Sequence, residues 1–175
     1  WIDVASELAF TYMDLLDHRR PDLAAWLLDA WLHESGDFSA VPVLRFYSVY
    51  KALVRAKVAA LGGAGPQASG YLALAESIAT PPPPRLTITF GLSGSGKSTQ
   101  SGALLRSSPG ATTLRLRSDV ERKRLHGLAP LERSQSTPAG GIYTAVATRR
   151  TYALLHATAA MVLDAGWSVV VDAAF

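Results

Sequence analysis

The 175 residues are 49% apolar and 18% charged with a net charge of +3, a globular composition that argues against a disordered tail or a strongly nucleic-acid-binding surface. There is no cysteine, so disulfides and thiolate metal sites are excluded, which fits a reducing cytoplasm. Every apolar-leaning stretch of about 20 residues carries an Asp, Arg or Lys, so no membrane span is expected.

The first 79 residues read as helices with no strand partner. Leu8, Tyr12, Leu15 and Leu16 recur at helical spacing, and HRRP ends that helix where Pro21 can begin the next. Leu23, Trp26, Leu27, Ala30 and Trp31 form a second apolar stripe, closed by Gly36. A third helix covers residues 42–61, with Leu44, Tyr47, Val54 and Val58 on one face and Lys51, Arg55 and Lys57 mostly elsewhere. GGAGP is a loop, and residues 67–79 make a shorter helix. Trp1, Trp26 and Trp31 read as core or packing residues. TPPPPR, residues 80–85, is an extended proline linker.

After the prolines the period changes. LTITF (86–90) is a short β-rich run, Lys97 to Arg106 is helical, and TTLRLR (112–117) alternates as a strand. Ser118 and Glu121 form a capping box for a short helix ending at Gly127. A polar loop fills 129–141. A long helix spans Tyr143 to Ala165, with Val146, Leu154, Leu155, Met161 and Val162 in register, and Gly166 suits its end. WSVVVD (167–172) is a continuous apolar run of the kind buried on both faces of a parallel sheet. This order argues for α/β architecture, a parallel sheet with flanking helices over 86–175, preceded by the all-helical segment.

GLSGSGKST, residues 91–99, satisfies G-x-x-x-x-G-K-[ST] at every fixed position, between a predicted strand and a predicted helix. Gly91, Ser93, Gly94, Ser95 and Gly96 are small enough for consecutive amides to turn inward as an anion-binding nest. The helix beginning at Lys97 adds its positive dipole end. Lys97 reaches the outer phosphates of a nucleotide, Ser98 offers a hydroxyl to Mg²⁺, and Thr99 completes the cradle. The fold class is therefore that of a P-loop NTPase. Asp172 closes the apolar strand at the ligand edge of the sheet, where a carboxylate can hold Mg²⁺ or its water. Asp119 follows TTLRLR at the same edge and can orient or deprotonate an acceptor hydroxyl. Arg117 and Arg122 flank it and can grip an anionic substrate or neutralise a transferring phosphate, so Arg122 joins Lys97 and Asp119 as a catalytic candidate. Arg115, Lys123 and Arg124 read as a solvated basic face, and Arg149 and Arg150 as surface residues. The four histidines show no metal-ligand spacing.

With these residues in place, LTITFGLSGSGKST, RSDVERKRLHGL and GGIYTAVATRRTYALLHATAAMVLDAGWSVVVDAAF resemble the ATP-binding half of bacterial bifunctional proteins. These join an aminoglycoside-phosphotransferase-like region to a P-loop kinase-like domain labelled an AAA family ATPase. That domain is also similar to small kinases related to gluconate kinase and zeta toxins. DVASELAFTYMDLLDHRRPDLA and LRFYSVYKALVRAKVAAL are similar to the helical end of the phosphotransferase-like region. The resemblance implies domains at 1–79 and 86–175, ATP and Mg²⁺ held by Gly91 to Thr99, and Asp119 as the acceptor-side carboxylate. The arginines near Asp119 point to a small-molecule acceptor, anionic or sugar-like, and the modest basic character and the lack of an apolar span argue against a nucleic-acid or membrane partner. No catalytic loop of the phosphotransferase type lies in 1–79, and the later strands and arginine-bearing lid of such kinases lie outside the sequence, which reads as an excerpt of a longer protein. The leading expectation is a kinase acting on a small hydroxyl acceptor. The alternative is an ATP-hydrolysing regulatory module; a GTPase would need a guanine motif that is absent.

Overall fold

In the computed structural model, which describes residues 2–92, 94–134, 136 and 140–173, local sequence signals set most element ends. Helix α1 (Val4–Asp17) starts where the Asp3 carboxylate accepts a 2.9 Å bond from the Ala5 amide. Helix α2 (Pro21–Ser35) begins on a proline, whose missing N–H costs nothing in a first turn. Helices α3 (Val41–Leu61) and α4 (Gly65–Ala79) follow. Residues 81–84 carry no regular structure and lead into strand β1 (Leu86–Ile88). Then come α5 (Lys97–Arg106), β2 (Thr113–Arg117), α6 (Ser118–Leu125), α7 (Ala145–Asp164) and β3 (Ser168–Asp172).

The three strands form one parallel sheet in the order β1-β3-β2. Leu86 and Leu114 both pair with Val169, Ile88 and Leu116 with Val171, and Arg117 with Asp172. Paired residues of a sheet share a face, so Leu114, Leu116, Val169 and Val171 make a buried apolar surface on one side. Arg115, Arg117, Val170 and Asp172 lie on the other. β3 is the central strand, and Val169 to Val171 are buried, the burial its unbroken apolar run requires. All three strands run the same way. Their C-terminal ends therefore deliver Gly91 onward, Ser118–Asp119 and Asp172–Ala173 to one edge.

The helical segment is a layer of this same body. Leu8, Tyr12, Leu28, Leu32 and Leu44 share one core with Leu105, Leu114, Leu116, Trp167, Val169 and Val171. Polar ties cross the same seam: the buried Tyr12 hydroxyl donates to the Gly110 carbonyl at 3.0 Å, and Arg45 donates to the Gly166 carbonyl at 2.9 Å while lying over the Trp167 ring. Burial pushes the Tyr12 phenol well above its usual range, against the opposing pull of the Arg45 charge, so the hydroxyl stays a donor. A satellite cluster joins α3 to α4 through Ala52, Ala56, Ala59, Ala68, Tyr71 and Ala75. Leu28 is 0% exposed at the centre of the shared core. Leu28→Ala is expected to cost about 2–5 kcal/mol, and to lower one common transition when thermal circular dichroism and tryptophan fluorescence are followed together.

Several expected faces are rotated. On α2 the buried stripe is Ala24, Ala25, Leu28 and Leu32, and Trp26 is 57% exposed. The helix is packed against α1 on one side and against α5 and β2 on the other, and two alanines permit the close approach that a tryptophan would prevent. On α3 the small residues Ala52, Ala56 and Ala59 are buried against α4 while Val54 and Val58 face outward. On α7 Ala147, Thr151, Leu155, Ala159 and Val162 are buried and Val146 is exposed. The capping box at Ser118 does not form. The helix starts at Ser118 itself, directly from the strand, so its hydroxyl is one position past the cap, and Glu121 pairs with Arg124 instead. Trp1 lies outside the described residues. Among the described residues, no helix is long and apolar enough to cross a membrane.

Candidate functional site

The glycine-rich loop leaves β1 and enters α5 through backbone that only glycine adopts readily. Gly91 sits at φ 142° and Gly96, the residue before α5, at φ 86°. A Cβ on Gly91 would also stand 3.0 Å from the Ser95 hydroxyl. No side chain among the described residues caps α5, so its first amides are left for another acceptor. The Lys97 ammonium folds back over the loop, donating to the Gly91 and Leu92 carbonyls, each at 2.7 Å. Ser93 lies outside the described residues.

Gly94, Gly96, Lys97, Ser98 and Thr99 form one wall of a cleft of about 600 Å³. Arg117, Ser118, Asp119 and Arg122 bring the end of β2 to it, and Asp172 and Ala173 the end of β3. The sequence candidates from three separate segments thus meet in one cavity. The 49%-exposed Asp119 carboxylate takes a 2.9 Å ion pair from Lys123 and a 3.4 Å hydrogen bond from the Tyr143 hydroxyl. Arg122 is buried, donating from one nitrogen to the Ile142 carbonyl (3.1 Å) and the Thr148 hydroxyl (3.0 Å), with its guanidinium over the Tyr143 ring. It therefore ties the start of α7 to α6 as well as lining the cleft.

Asp172 is buried at the sheet edge. Its oxygens accept from Thr89 at 3.4 Å and Ser101 at 3.3 Å, and Arg117 stands 3.8 Å away. A hydroxyl at Ser98 and a carboxylate at Asp172, both lining the cleft, are the hard oxygen donors that suit Mg²⁺. Two protein ligands are what such an ion takes when phosphates and water fill its remaining positions. Among the described residues no cluster of three or more His, Cys, Asp or Glu could form a protein-only metal site.

The expected solvated basic face is not there. Arg115 and Lys123 side chains are only 12% and 14% exposed, Arg115 paired with Asp29 of α2 and Lys123 with Asp119. Arg124 pairs with Glu121 and donates to the His33 carbonyl at 2.8 Å. The α2 layer covers this side of the sheet and supplies partners that a reading of 86–175 alone could not reveal. Burial, with the Arg117 charge beside it, holds the His33 imidazole below its usual range, so no further cation is added to this seam near neutral pH. Tyr143, Thr148 and Tyr152 also line the cleft. The sequence reading placed Tyr143 only as a helix start and gave the other two no role. Thr148 and Tyr152 are one helical turn apart, on the part of α7 that faces the strand ends.

A family model described as an AAA domain matches residues 86–175. The chain belongs to that family. Its AAA domain is a nucleotide-binding, P-loop NTPase-like domain, in agreement with the parallel sheet and the loop before α5. Among curated proteins it is similar to "Uncharacterized protein Rv2004c" of Mycobacterium tuberculosis and "Uncharacterized protein Mb2027c" of Mycobacterium bovis, each 28% identical over 98% of the chain. The chain spans 35% of the length of these relatives. Their similarity runs through the helical layer as well as the AAA domain. No solved structure matches.

Proposed function

We propose that the AAA domain is an ATP-dependent phosphotransferase acting on a hydroxyl of a small acceptor. What carries the reading is the meeting of Lys97 and Ser98, Asp172, and Asp119 in one cleft of about 600 Å³. A nucleotide's phosphates would lie against the loop amides and Lys97, leaving the Asp119, Tyr143 and Arg122 side of the cleft for the acceptor. Ser98 and Asp172 would hold Mg²⁺, which neutralises phosphate charge when bound. In the transfer, the acceptor oxygen forms a bond to the γ-phosphorus, the bond from that phosphorus to the β–γ bridging oxygen breaks, and ADP leaves. The acceptor's proton passes to the Asp119 carboxylate, with Tyr143 and Lys123 holding that carboxylate in place. Arg117 and Arg122 beside the aromatic rings of Tyr143 and Tyr152 suit a sugar-like or anionic acceptor. On this reading residues 1–79 support the site and carry no second catalytic centre.

One observation favours the alternative, an ATP-hydrolysing regulatory module: α2 of the helical layer is bonded to the phosphate loop's neighbourhood through Arg115. ADP release from Mg·ATP, followed across a panel of polyols, sugars and sugar phosphates, separates the two. A kinase shows release that depends on one acceptor class and yields a phosphorylated product. Release indifferent to every acceptor, with free phosphate as the product, would overturn the kinase reading.

A further inference from the structure

Arg115 of β2 is bonded both to the helical layer and to the start of α5. Its Nε donates to Asp29 Oδ1 at 3.0 Å and its Nη2 to Asp29 Oδ2 at 2.5 Å, a two-pronged pairing with defined orientation. Both side chains are nearly buried. The remaining nitrogen, Nη1, points the other way and donates to the Ser98 carbonyl at 3.1 Å and to Ser101 Oγ at 3.3 Å.

Ser101 then has a choice to make. Its hydroxyl has one proton and two acceptors within reach, the Ser98 carbonyl at 3.1 Å and Asp172 Oδ2 at 3.3 Å. A serine inside a helix ordinarily returns its proton to a carbonyl of the preceding turn. Arg115 already serves the Ser98 carbonyl, and its charge beside Ser101 Oγ further favours pointing the proton at the carboxylate. The chain of contacts therefore runs Asp29, Arg115, then Ser98 and Ser101, then Asp172. It fixes the backbone that carries the Ser98 hydroxyl and one oxygen of Asp172 together.

We infer that Asp29, a residue of the helical layer, positions the cation-binding end of the cleft through Arg115 and Ser101. Asp29 and Arg115 are positioning residues, acting through Ser98 and Asp172 without touching nucleotide. The inference rests on the reading above that Ser98 and Asp172 hold Mg²⁺ with ATP. It assigns the α2 layer a part in cation affinity and leaves the nest of amides that binds phosphate to the loop itself.

The test is ATP binding by the full chain, measured by calorimetry without Mg²⁺ and then across a Mg²⁺ titration, for Asp29→Asn, Arg115→Lys, Ser101→Ala and the Asp29→Asn/Ser101→Ala pair. Loss of a group that orients a metal ligand typically weakens metal affinity by 10- to 100-fold, so the half-saturating Mg²⁺ concentration should rise roughly tenfold in each single variant. Mg²⁺-free ATP affinity should stay at the wild-type value. The double variant should shift little beyond either single one, because both break the same chain. Arg115→Lys keeps a cation against Asp29 and loses the Nη1 contacts, so it carries the test should Asp29→Asn fail to fold. A folded Arg115→Lys variant with wild-type Mg²⁺ dependence overturns the inference. So does equal weakening of Mg²⁺-free and Mg²⁺-loaded binding in step with lowered thermal stability, the mark of mere packing. If wild-type ATP binding is itself indifferent to Mg²⁺, the reading of Ser98 and Asp172 falls with it. Wild-type dependence with unmoved variants removes this inference alone.

Discussion

Lys97→Ala is expected to weaken ATP binding about 10- to 150-fold, the range corresponding to one charged hydrogen-bonding group worth about 1.5–3 kcal/mol. The structure explains why the ammonium matters before any nucleotide arrives. It is already held at the mouth of the loop by two 2.7 Å bonds to the Gly91 and Leu92 carbonyls. A phosphate entering the loop finds a cation in place on a side chain anchored in the first turn of α5. Removing it leaves those carbonyls without their donor and the amide nest without a compensating charge. Lys97→Arg should not restore affinity fully, because a planar fork cannot replace a compact ammonium between two carbonyls and a phosphate. Calorimetry with ATP checks this, with circular dichroism to show that the fold persists. Unchanged ATP affinity in a folded Lys97→Ala variant would remove the phosphate-binding role from the loop.

The loop was legible because its chemistry is local. Glycine spacing, the lysine and the serine all sit within nine residues, and the flanking strand and helix announce themselves by period. The order of elements over 86–175 was legible for the same reason, and the parallel sheet followed from it. Interfaces were harder to read. Trp26 read as core by its hydrophobicity, yet α2 lies between α1 and the α5–β2 side, where Ala24 and Ala25 fit and an indole does not. The alanine face that joins α3 to α4 gives a weak apolar signal beside Val54 and Val58, which are larger and exposed. Arg115 read as a solvated cation because its partner, Asp29, is 86 residues away in sequence. Nothing in either segment alone encodes that pairing. Tyr143 shows the limit within the site itself: an aromatic at the start of a helix has many uses, and only the approach of α6 puts its ring under Arg122 and its hydroxyl beside Asp119.

Asp119→Asn is expected to lower the rate of phosphoryl transfer by roughly 10²- to 10⁴-fold, the usual contribution of a general base, while ATP affinity stays at the wild-type value. The substitution separates charge from shape. An asparagine keeps one oxygen, which can accept from Lys123 in the place of Oδ2, while its amide nitrogen in the place of Oδ1 can donate to the Tyr143 hydroxyl oxygen. These partners now stand 2.9 and 3.4 Å from the carboxylate, so the wall of the cleft is preserved. The ability to take a proton from the acceptor is lost. Lys123 should tolerate the change because it also donates to the Pro130 carbonyl at 3.0 Å. ATP contacts should be unaffected, since Asp119 enters the cleft from α6 and the phosphate loop from α5. The same variant discriminates between the two functional readings. In a regulatory module that hydrolyses ATP without an acceptor, no substrate hydroxyl needs its proton removed at this position, and ADP formation should continue at its wild-type rate. Single-turnover ADP formation, measured beside equilibrium ATP binding, distinguishes these results. A folded Asp119→Asn protein that still phosphorylates its acceptor at the wild-type rate would remove Asp119 from the reaction and leave the acceptor side of the cleft to be assigned to other groups.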